Sequence, residues 1–205
     1  MTELLLVRHG ESRFNAERRW AGWEDHSPLT ALGEAEAQAV ANRLATEGDI
    51  VELYASPLLR AWQTAQIISK TLGIAPVPQE GLREVNVGRV GGLTMDEFAA
   101  QFPSDYDGWR ERSNVGFTWP GGENRYRFFL RAGRAVDQIA CSHPDEKVVV
   151  VCHGGVIRAT LVYFLPEECR EWWTYRVHTG SLTRLSVGSN GNRLLTLNEY
   201  DPPQA

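Results

Sequence analysis

Lysine is nearly absent from this 205-residue chain: Lys70 and Lys147 stand against 19 arginines among its 21 cationic side chains. The formal net charge is -5 and no basic tract is present. That excludes nucleic acid as an expected partner, because affinity for a polyanion rests on clustered cations. Cysteine is scarce as well. Cys141, Cys152 and Cys169 are odd in number and form no CxxC pair, so a disulfide framework is not expected and a reducing, cytoplasmic setting is. No apolar run approaches the ~18 residues of a bilayer span, so no membrane association is expected. Met1-Thr2-Glu3 carries no basic n-region, and no secretion signal is read there. Repeats and low-complexity stretches are missing too. What remains is 42% hydrophobic and 23% charged, the balance of a globular chain long enough to bury its own core. The arginine excess has two readings, codon bias or guanidinium forks that hold phosphate, and composition alone leaves both open.

Two short apolar runs stand out. Leu4-Leu5-Leu6-Val7 ends in Arg8-His9-Gly10, and Val148-Val149-Val150-Val151 ends in Cys152-His153-Gly154-Gly155. Such runs suit strands buried on both faces of a parallel sheet. Between them, Thr30 reads as the N-cap of a helix to about Glu47, with Glu34 and Glu36 near its positive end. Ile50 to Ala55 reads as a strand. Ser56-Pro57 then reads as N-cap and first position of a helix to about Leu72. Residues 94–101, 123–141 and 155–164 also read as helices. Ser181–Val187 and Arg193–Tyr200 flank Gly188-Ser189-Asn190-Gly191 as an antiparallel hairpin. The alternation predicts a three-layer α/β/α sandwich with a mostly parallel central sheet and a C-terminal hairpin. A segment of about 81–122, rich in Gly, Trp and charge, breaks the alternation and reads as a small cap inserted into one domain spanning 1–205.

His9 and His153 each end an apolar strand and precede glycine. In open α/β sheets, ligands bind beyond the carboxyl ends of the strands. If the two strands are neighbours, both histidines face one crevice, and the following helices offer free N–H groups to an anion. Arg8 adjoins the first histidine, and Arg60 lies in the first turn of the Ser56 helix. Two arginines, two histidines and helix N-termini suit a phosphoryl group, whose transition state spreads negative charge over its oxygens. A metal is the rival ligand for the histidine pair. No HxH or HExxH spacing supports it, and the arginines would repel a cation.

Taken together, several motifs resemble the histidine phosphatase superfamily in its phosphoglycerate-mutase-like branch. They are Leu6-Val7-Arg8-His9-Gly10-Glu11-Ser12 with Asn15, Gly22-Trp23, Pro28-Leu29-Thr30 and Gly33. Ser56-Pro57-Leu58-Leu59-Arg60-Ala61 with Gln63-Thr64-Ala65, Leu82-Arg83-Glu84, Gly121-Gly122-Glu123 and Val151-Cys152-His153-Gly154-Gly155 complete the set. The resemblance covers nearly the whole chain in the family's order. It implies that His9 is the nucleophile and that Arg8, Arg60 and His153 hold the phosphate, with Asn15, Ser12 and Gly22 around it. Glu84 is then the general acid and base. No metal or other cofactor is implied, and the expected partner is a small phosphorylated metabolite.

The family includes mutases and phosphatases. The mutases are longer and carry an insertion with lysine and paired arginines after the glutamate; here no lysine lies between Lys70 and Lys147. Ala21, Val85, Val87 and Gly155 replace polar residues of the mutases, so hydrolysis is expected and mutase activity is the alternative. A phosphate-binding module without catalysis is a second alternative, disfavoured by the intact set Arg8, His9, Arg60, Glu84 and His153. Gly88-Arg89-Val90-Gly91-Gly92 departs from the common phosphatase pattern, and Arg89 reads either as charge at the cap mouth or as a solvated side chain. Glu11 reads as pocket-orienting or structural, Glu36 as structural, and Glu123 as a charge at a helix start or a catalytic group. Among the remaining histidines, His26 and His143 are not expected in the site; His178 is a weak candidate for its wall. Phe102, Tyr106, Trp109, Phe117 and Trp119 suit either an apolar leaving group or the cap's own core. Glu171-Trp172-Trp173-Thr174-Tyr175 reads either as an exposed patch for a second copy, giving a homodimer, or as packing beneath the hairpin.

Overall fold

The two apolar runs lie side by side. The computed structural model describes residues 1–167 and 171–200; Cys169 and the tail residues 201–205 lie outside them. In chain order the elements are β1 (Thr2–Arg8), α1 (Arg13–Ala16), α2 (Ala31–Ala45), β2 (Ile50–Ala55), α3 (Leu59–Leu72), β3 (Pro76–Pro78), α4 (Met95–Gln101), α5 (Pro103–Arg110), α6 (Arg125–Ser142), β4 (Lys147–Cys152), α7 (Gly154–Phe164), β5 (Leu182–Val187) and β6 (Arg193–Glu199). The sheet order is β3-β2-β4-β1-β5-β6. The first four are parallel, and β5 and β6 close the far edge antiparallel. β1 and β4 pair directly, with Arg8 opposite Cys152, which sets His9 and His153 at one level beyond the sheet.

The continuous apolar character of β1 and β4 follows from burial on both faces. Leu4, Leu6, Val148 and Val150 pack in one core with α6 and α7. Leu5, Val7, Val149 and Val151 point the other way, into a core with α2 and α3. The expected three layers are therefore present. Among the described residues no helix is long and apolar enough to cross a membrane.

Some boundaries differ from expectation. The Thr30 hydroxyl caps α2 by accepting from Gly33 N–H at 3.1 Å, as its sequence predicts. The Ser56 cap is a correction. Ser56 continues the extended backbone, its N–H on the Val151 carbonyl at 2.9 Å, and the helix begins at Leu59 with Leu58 as N-cap. The Ser56 hydroxyl meets His153 Nε2 at 2.8 Å and also accepts from Leu58 N–H at 3.4 Å. α6 starts two residues later than predicted, capped by Asn124, so Glu123 precedes the helix rather than charging its first turn. The short elements α1, α5 and β3 carry too little periodicity to be read; in β3 the prolines Pro76 and Pro78 fit because the strand is at the sheet's edge.

The segment after Glu84 lies beside the site and has a core of its own. Val87, Val90, Phe98, Trp109, Phe117 and Trp119 are buried there, with Trp20, Phe102 and Tyr106 packed against them. Arg125, the second residue past Glu123, is 5% exposed and donates to the carbonyls of Trp109 (3.0 Å), Glu111 (2.9 Å), Arg112 (3.3 Å) and Asn114 (2.7 Å). One guanidinium thereby fixes the loop after α5, adding to the turn bonds from Asn114 N–H to the Glu111 carbonyl and from Phe117 N–H to the Asn114 carbonyl.

Candidate active site

A cavity of about 670 Å³ opens at the carboxyl end of the sheet, between the strand ends and the segment that follows Glu84. Arg8, His9, Asn15, Gly22, Arg60, Glu84 and Gly155 all line it. Among the described residues, seven arginines line this cavity against one carboxylate, that of Glu84. A chain of net charge -5 thus concentrates positive charge where an anion would enter.

His9 is 3% exposed. Its Nδ1 lies 2.7 Å from the Gly10 carbonyl. A carbonyl only accepts, so Nδ1 carries the proton and Nε2 keeps its lone pair. Arg60 Nε donates to that Nε2 at 3.3 Å. Burial, then the charges of Arg60 and Arg8, hold the His9 pKa well below the ordinary histidine value. The ring is therefore neutral, with its free nitrogen beside a guanidinium. Gly10 is required for this loop to close: a Cβ there would stand 2.1 Å from the Gly33 carbonyl oxygen, and its N–H donates to Thr64 Oγ1 at 3.1 Å.

Arg60 is 1% exposed and spans the site. Beyond His9 it donates to the carbonyls of Gly22 at 2.8 Å and Glu24 at 3.3 Å. Burial lowers its pKa to about 10, with Glu84 acting in the opposite direction, so it stays cationic at neutral pH. His153 is fully buried, its ring centroid 5.1 Å from that of His9. Its Nε2 meets Ser56 Oγ at 2.8 Å. Burial first, then Arg60, His9 and Arg8, push its pKa well down. His153 Nδ1 and Arg8 Nε are buried and have no hydrogen-bond partner among the described residues. Unpaired buried polar atoms are costly; Arg8 lines the cavity, whereas His153 lies behind His9 and does not line it.

Glu84 sits opposite, on the connection leading into the cap segment. Its carboxylate accepts from Val85 N–H at 2.9 Å and, across the cavity, from Gly155 N–H at 3.1 Å in the first turn of α7. A Cβ at position 155 would come within 2.1 Å of Glu84 Oε1, so only glycine leaves the carboxylate this place. Trp23 Nε1 and Arg131 Nη2 donate to the Glu84 carbonyl at 2.6 and 3.3 Å. Arg131 is in turn paired with Glu123 at 2.9 Å. Glu123 thus steadies the Glu84 backbone rather than facing the cavity. Trp23 belongs to a recognised motif, but no pattern in the sequence marks Arg131.

The other expected residues are placed as follows. Asn15 Oδ1 accepts from Ser12 N–H and Ser12 Oγ at 3.1 and 3.0 Å. Ser12 is fully buried and does not line the cavity. The Gly22 carbonyl serves Arg60. Glu11 accepts from the Thr30 hydroxyl, and buried Glu36 ties Glu11 N–H, Thr179 and Tyr200 together; both are structural. Arg89 is exposed and lies over Phe102. His178 stacks on Tyr200, and neither it, His26 nor His143 lines the cavity. Trp109 and Trp119 are buried in the cap core and also border the cavity. Trp172 and Trp173 form part of the cavity wall, with Trp172 against Phe129, rather than packing beneath the hairpin. Arg112 and Arg158 also line the cavity; sequence reasoning did not single them out. Among the described residues no group of three or more His, Cys, Asp or Glu is placed to hold a metal ion.

Comparison with known proteins agrees with this geometry. A metal-independent phosphoserine phosphatase of Arabidopsis thaliana is 40% identical over 162 residues, 78% of this chain and 67% of the relative. Phosphoglycerate mutase-like protein 4 of the same plant is 38% identical over 159 residues, 77% and 68% of the two chains. The solved mycobacterial glucosyl-3-phosphoglycerate phosphatase Rv2419c, in complex with vanadate, superimposes with a TM-score of 0.84 at 30% identity, covering 96% of this chain and 98% of that one. Residues 4–200 match the family model of the histidine phosphatase superfamily (branch 1), and the chain belongs to that family.

Proposed function

We propose that this protein hydrolyses a small-molecule phosphomonoester through a phosphohistidine at His9, with Glu84 as general acid and base. The observation that carries the reading is the state of His9: a neutral ring, its Nδ1–H on the Gly10 carbonyl and its Nε2 lone pair beside Arg60. In the first step that lone pair attacks phosphorus. The N–P bond forms and the P–O ester bond breaks, while protonated Glu84 gives its proton to the departing oxygen. In the second, a water attacks phosphorus and loses a proton to the Glu84 carboxylate. The N–P bond breaks and its electron pair returns to Nε2. Arg8, Arg60 and His153 Nδ1 supply the donors for the phosphoryl oxygens, fixed in a site where burial strengthens them, with Asn15 and Gly22 on the wall and Ser12 holding Asn15 from behind.

Hydrolysis is favoured over mutase activity by the cavity wall. Ala21, Val85, Val87 and Gly155 all border the cavity, so the positions where the mutases carry polar groups are apolar or bare here. The chemistry needs no metal. p-Nitrophenyl phosphate turnover that resists EDTA and vanishes in His9→Ala supports the reading, as does an acid-labile phosphohistidine trapped in the wild type. Robust bisphosphoglycerate-dependent mutase turnover would overturn it in favour of a mutase. Tight phosphate binding without turnover of any ester would make the chain a binding module.

A further inference from the structure

The mechanism leaves one buried carboxylate unused. Glu36, on α2, is 3% exposed and is the only buried acid among the described residues. It is not on the cavity wall, and among the described residues no cation pairs with it. Three donors converge on it instead. Glu11 N–H meets Oε2 at 2.7 Å, and Thr179 Oγ1 and Tyr200 OH meet Oε1 at 2.9 and 3.0 Å. Burial, then Glu36 itself, push the Tyr200 phenol up, so it remains a donor. A carboxylate only accepts, and a buried one needs such donors.

These contacts are structural, but they end on the nucleophile. The Glu11 N–H belongs to the same peptide unit as the Gly10 carbonyl, and that carbonyl takes the His9 Nδ1–H at 2.7 Å. In a trans peptide the two groups point opposite ways, so one peptide stands between the carboxylate and the imidazole. Hydrogen bonds in series polarise one another: negative charge on the N–H side makes the carbonyl a better acceptor. Glu36 reaches His9 by a second path as well. Thr179, which it holds, precedes Gly180, whose N–H donates to the Arg8 and His9 carbonyls at 3.1 and 3.2 Å.

The charge bears on the chemistry. When Nε2 bonds to phosphorus with Nδ1 still protonated, the imidazole gains one positive charge. Arg60 and Arg8 oppose that charge, and Nδ1 meets a backbone carbonyl rather than a carboxylate. We propose that Glu36 is a positioning residue that acts on His9 through the Gly10–Glu11 peptide, fixing the ring and offsetting the positive charge it gains on phosphorylation. The proposal rests on the phosphohistidine reading above and deepens it.

The two half-reactions separate charge from scaffolding. Rapid mixing with p-nitrophenyl phosphate follows formation of the phosphohistidine as release of p-nitrophenolate. Loss of radiolabelled phosphohistidine after a chase follows its hydrolysis. Glu36→Gln keeps the size and an acceptor for Glu11 N–H but removes the charge. It should slow formation about tenfold or more, the scale of a charge-assisted bond. Hydrolysis should be unchanged or faster, because the less stabilised imidazolium leaves phosphorus more readily. Glu36→Asp, which keeps the charge, should recover part of the rate. A damaged scaffold slows both steps together, so equal losses would overturn the proposal, as would a wild-type rate of formation. Should Glu36→Gln fail to fold, Tyr200→Phe carries the test by NMR of the Glu11 amide proton and the His9 Nδ1 proton. Removing one donor from Oε1 leaves more charge for Oε2, so both resonances should move downfield together. A shift of only one, or of neither, would overturn the relay. A wild type that forms no phosphohistidine would sink the phosphatase reading alone, since the two proton signals need no turnover.

Discussion

Lowering the pH probes the neutral state of His9 and His153 through stability alone, without any substrate. Both rings are held well below the ordinary histidine pKa, first by burial and then by Arg60 and Arg8, with His9 itself adding to the effect on His153. An unfolded chain takes up a proton on each near pH 6.5, and the native state does not. The folded pKa is depressed, so the contribution is intact above about pH 6.5 and is lost as the pH falls below it. Each histidine then costs about 1.4 kcal/mol per pH unit, and the pair about 2.7. At about pH 5, some 1.5 units below the unfolded value, each costs about 2 kcal/mol and the pair about 4. That is a large share of the 5–15 kcal/mol by which domains are stable. Glu47 and Glu199 are held low with the help of Arg184, and their contributions fade only as the pH falls through about 4.5 and below. The interval from about pH 7 to 5 therefore belongs to the histidines. Urea unfolding across that interval should show the slope, and His9→Gln or His153→Gln should each remove about half of it. A flat wild-type profile, or a slope that persists in the double variant, would refute the reasoning.

Three further outcomes follow from named contacts. Ser56→Ala leaves His153 Nε2 without its partner at 2.8 Å; kcat/KM for p-nitrophenyl phosphate should fall about tenfold or more, the cost of a buried hydrogen bond. Gly155→Ala drives a Cβ to within 2.1 Å of Glu84 Oε1 and displaces the acid. Alkyl phosphates, whose leaving oxygen needs a proton, should slow by about 10²-fold or more while p-nitrophenyl phosphate loses much less; equal losses on both would count against Glu84 as the acid. Gly10→Ala meets the Gly33 carbonyl oxygen at 2.1 Å. Because that atom is backbone and cannot swing away, urea unfolding should show a loss of about 1–3 kcal/mol.

The layers of the fold were legible because burial on two faces writes itself into β1 and β4 as unbroken apolar runs, and because Thr30 caps α2 by ordinary side-chain chemistry. The hairpin was legible from its glycine-flanked turn. Ser56-Pro57 misled for a physical reason. A serine before a proline satisfies the rules for a helix start, but the strand's last hydrogen bond to Val151 holds Ser56 extended and His153 claims the hydroxyl. Local propensity lost to a long-range polar contact that no window of sequence contains. α5 escaped because Asp105, Asp107 and Gly108 are poor helix formers, and it is Trp109, buried in the cap core, that gives this stretch its anchor.

Of the residues that motif and strand-end position pointed to, Arg8, His9, Arg60 and Glu84 line one cavity, and His153 lies buried against His9. The groups that orient them were hidden for a different reason. The Gly10 carbonyl that sets the His9 tautomer is backbone, and backbone carries no letter. Arg131, which holds the Glu84 carbonyl, is one arginine among 19. The same anonymity concealed Arg112 and Arg158. Composition posed the question of whether the arginines hold phosphate or reflect codon usage, and the cavity divides them. Arg125 is spent on a loop, Arg184 on an ion-pair network with Glu47 and Glu199, and Arg8 and Arg60 border His9. Arg112, on the wall of the same cavity, makes no ion pair among the described residues and is held by the face of Trp109; a guanidinium packed on an indole keeps its charge without a carboxylate partner.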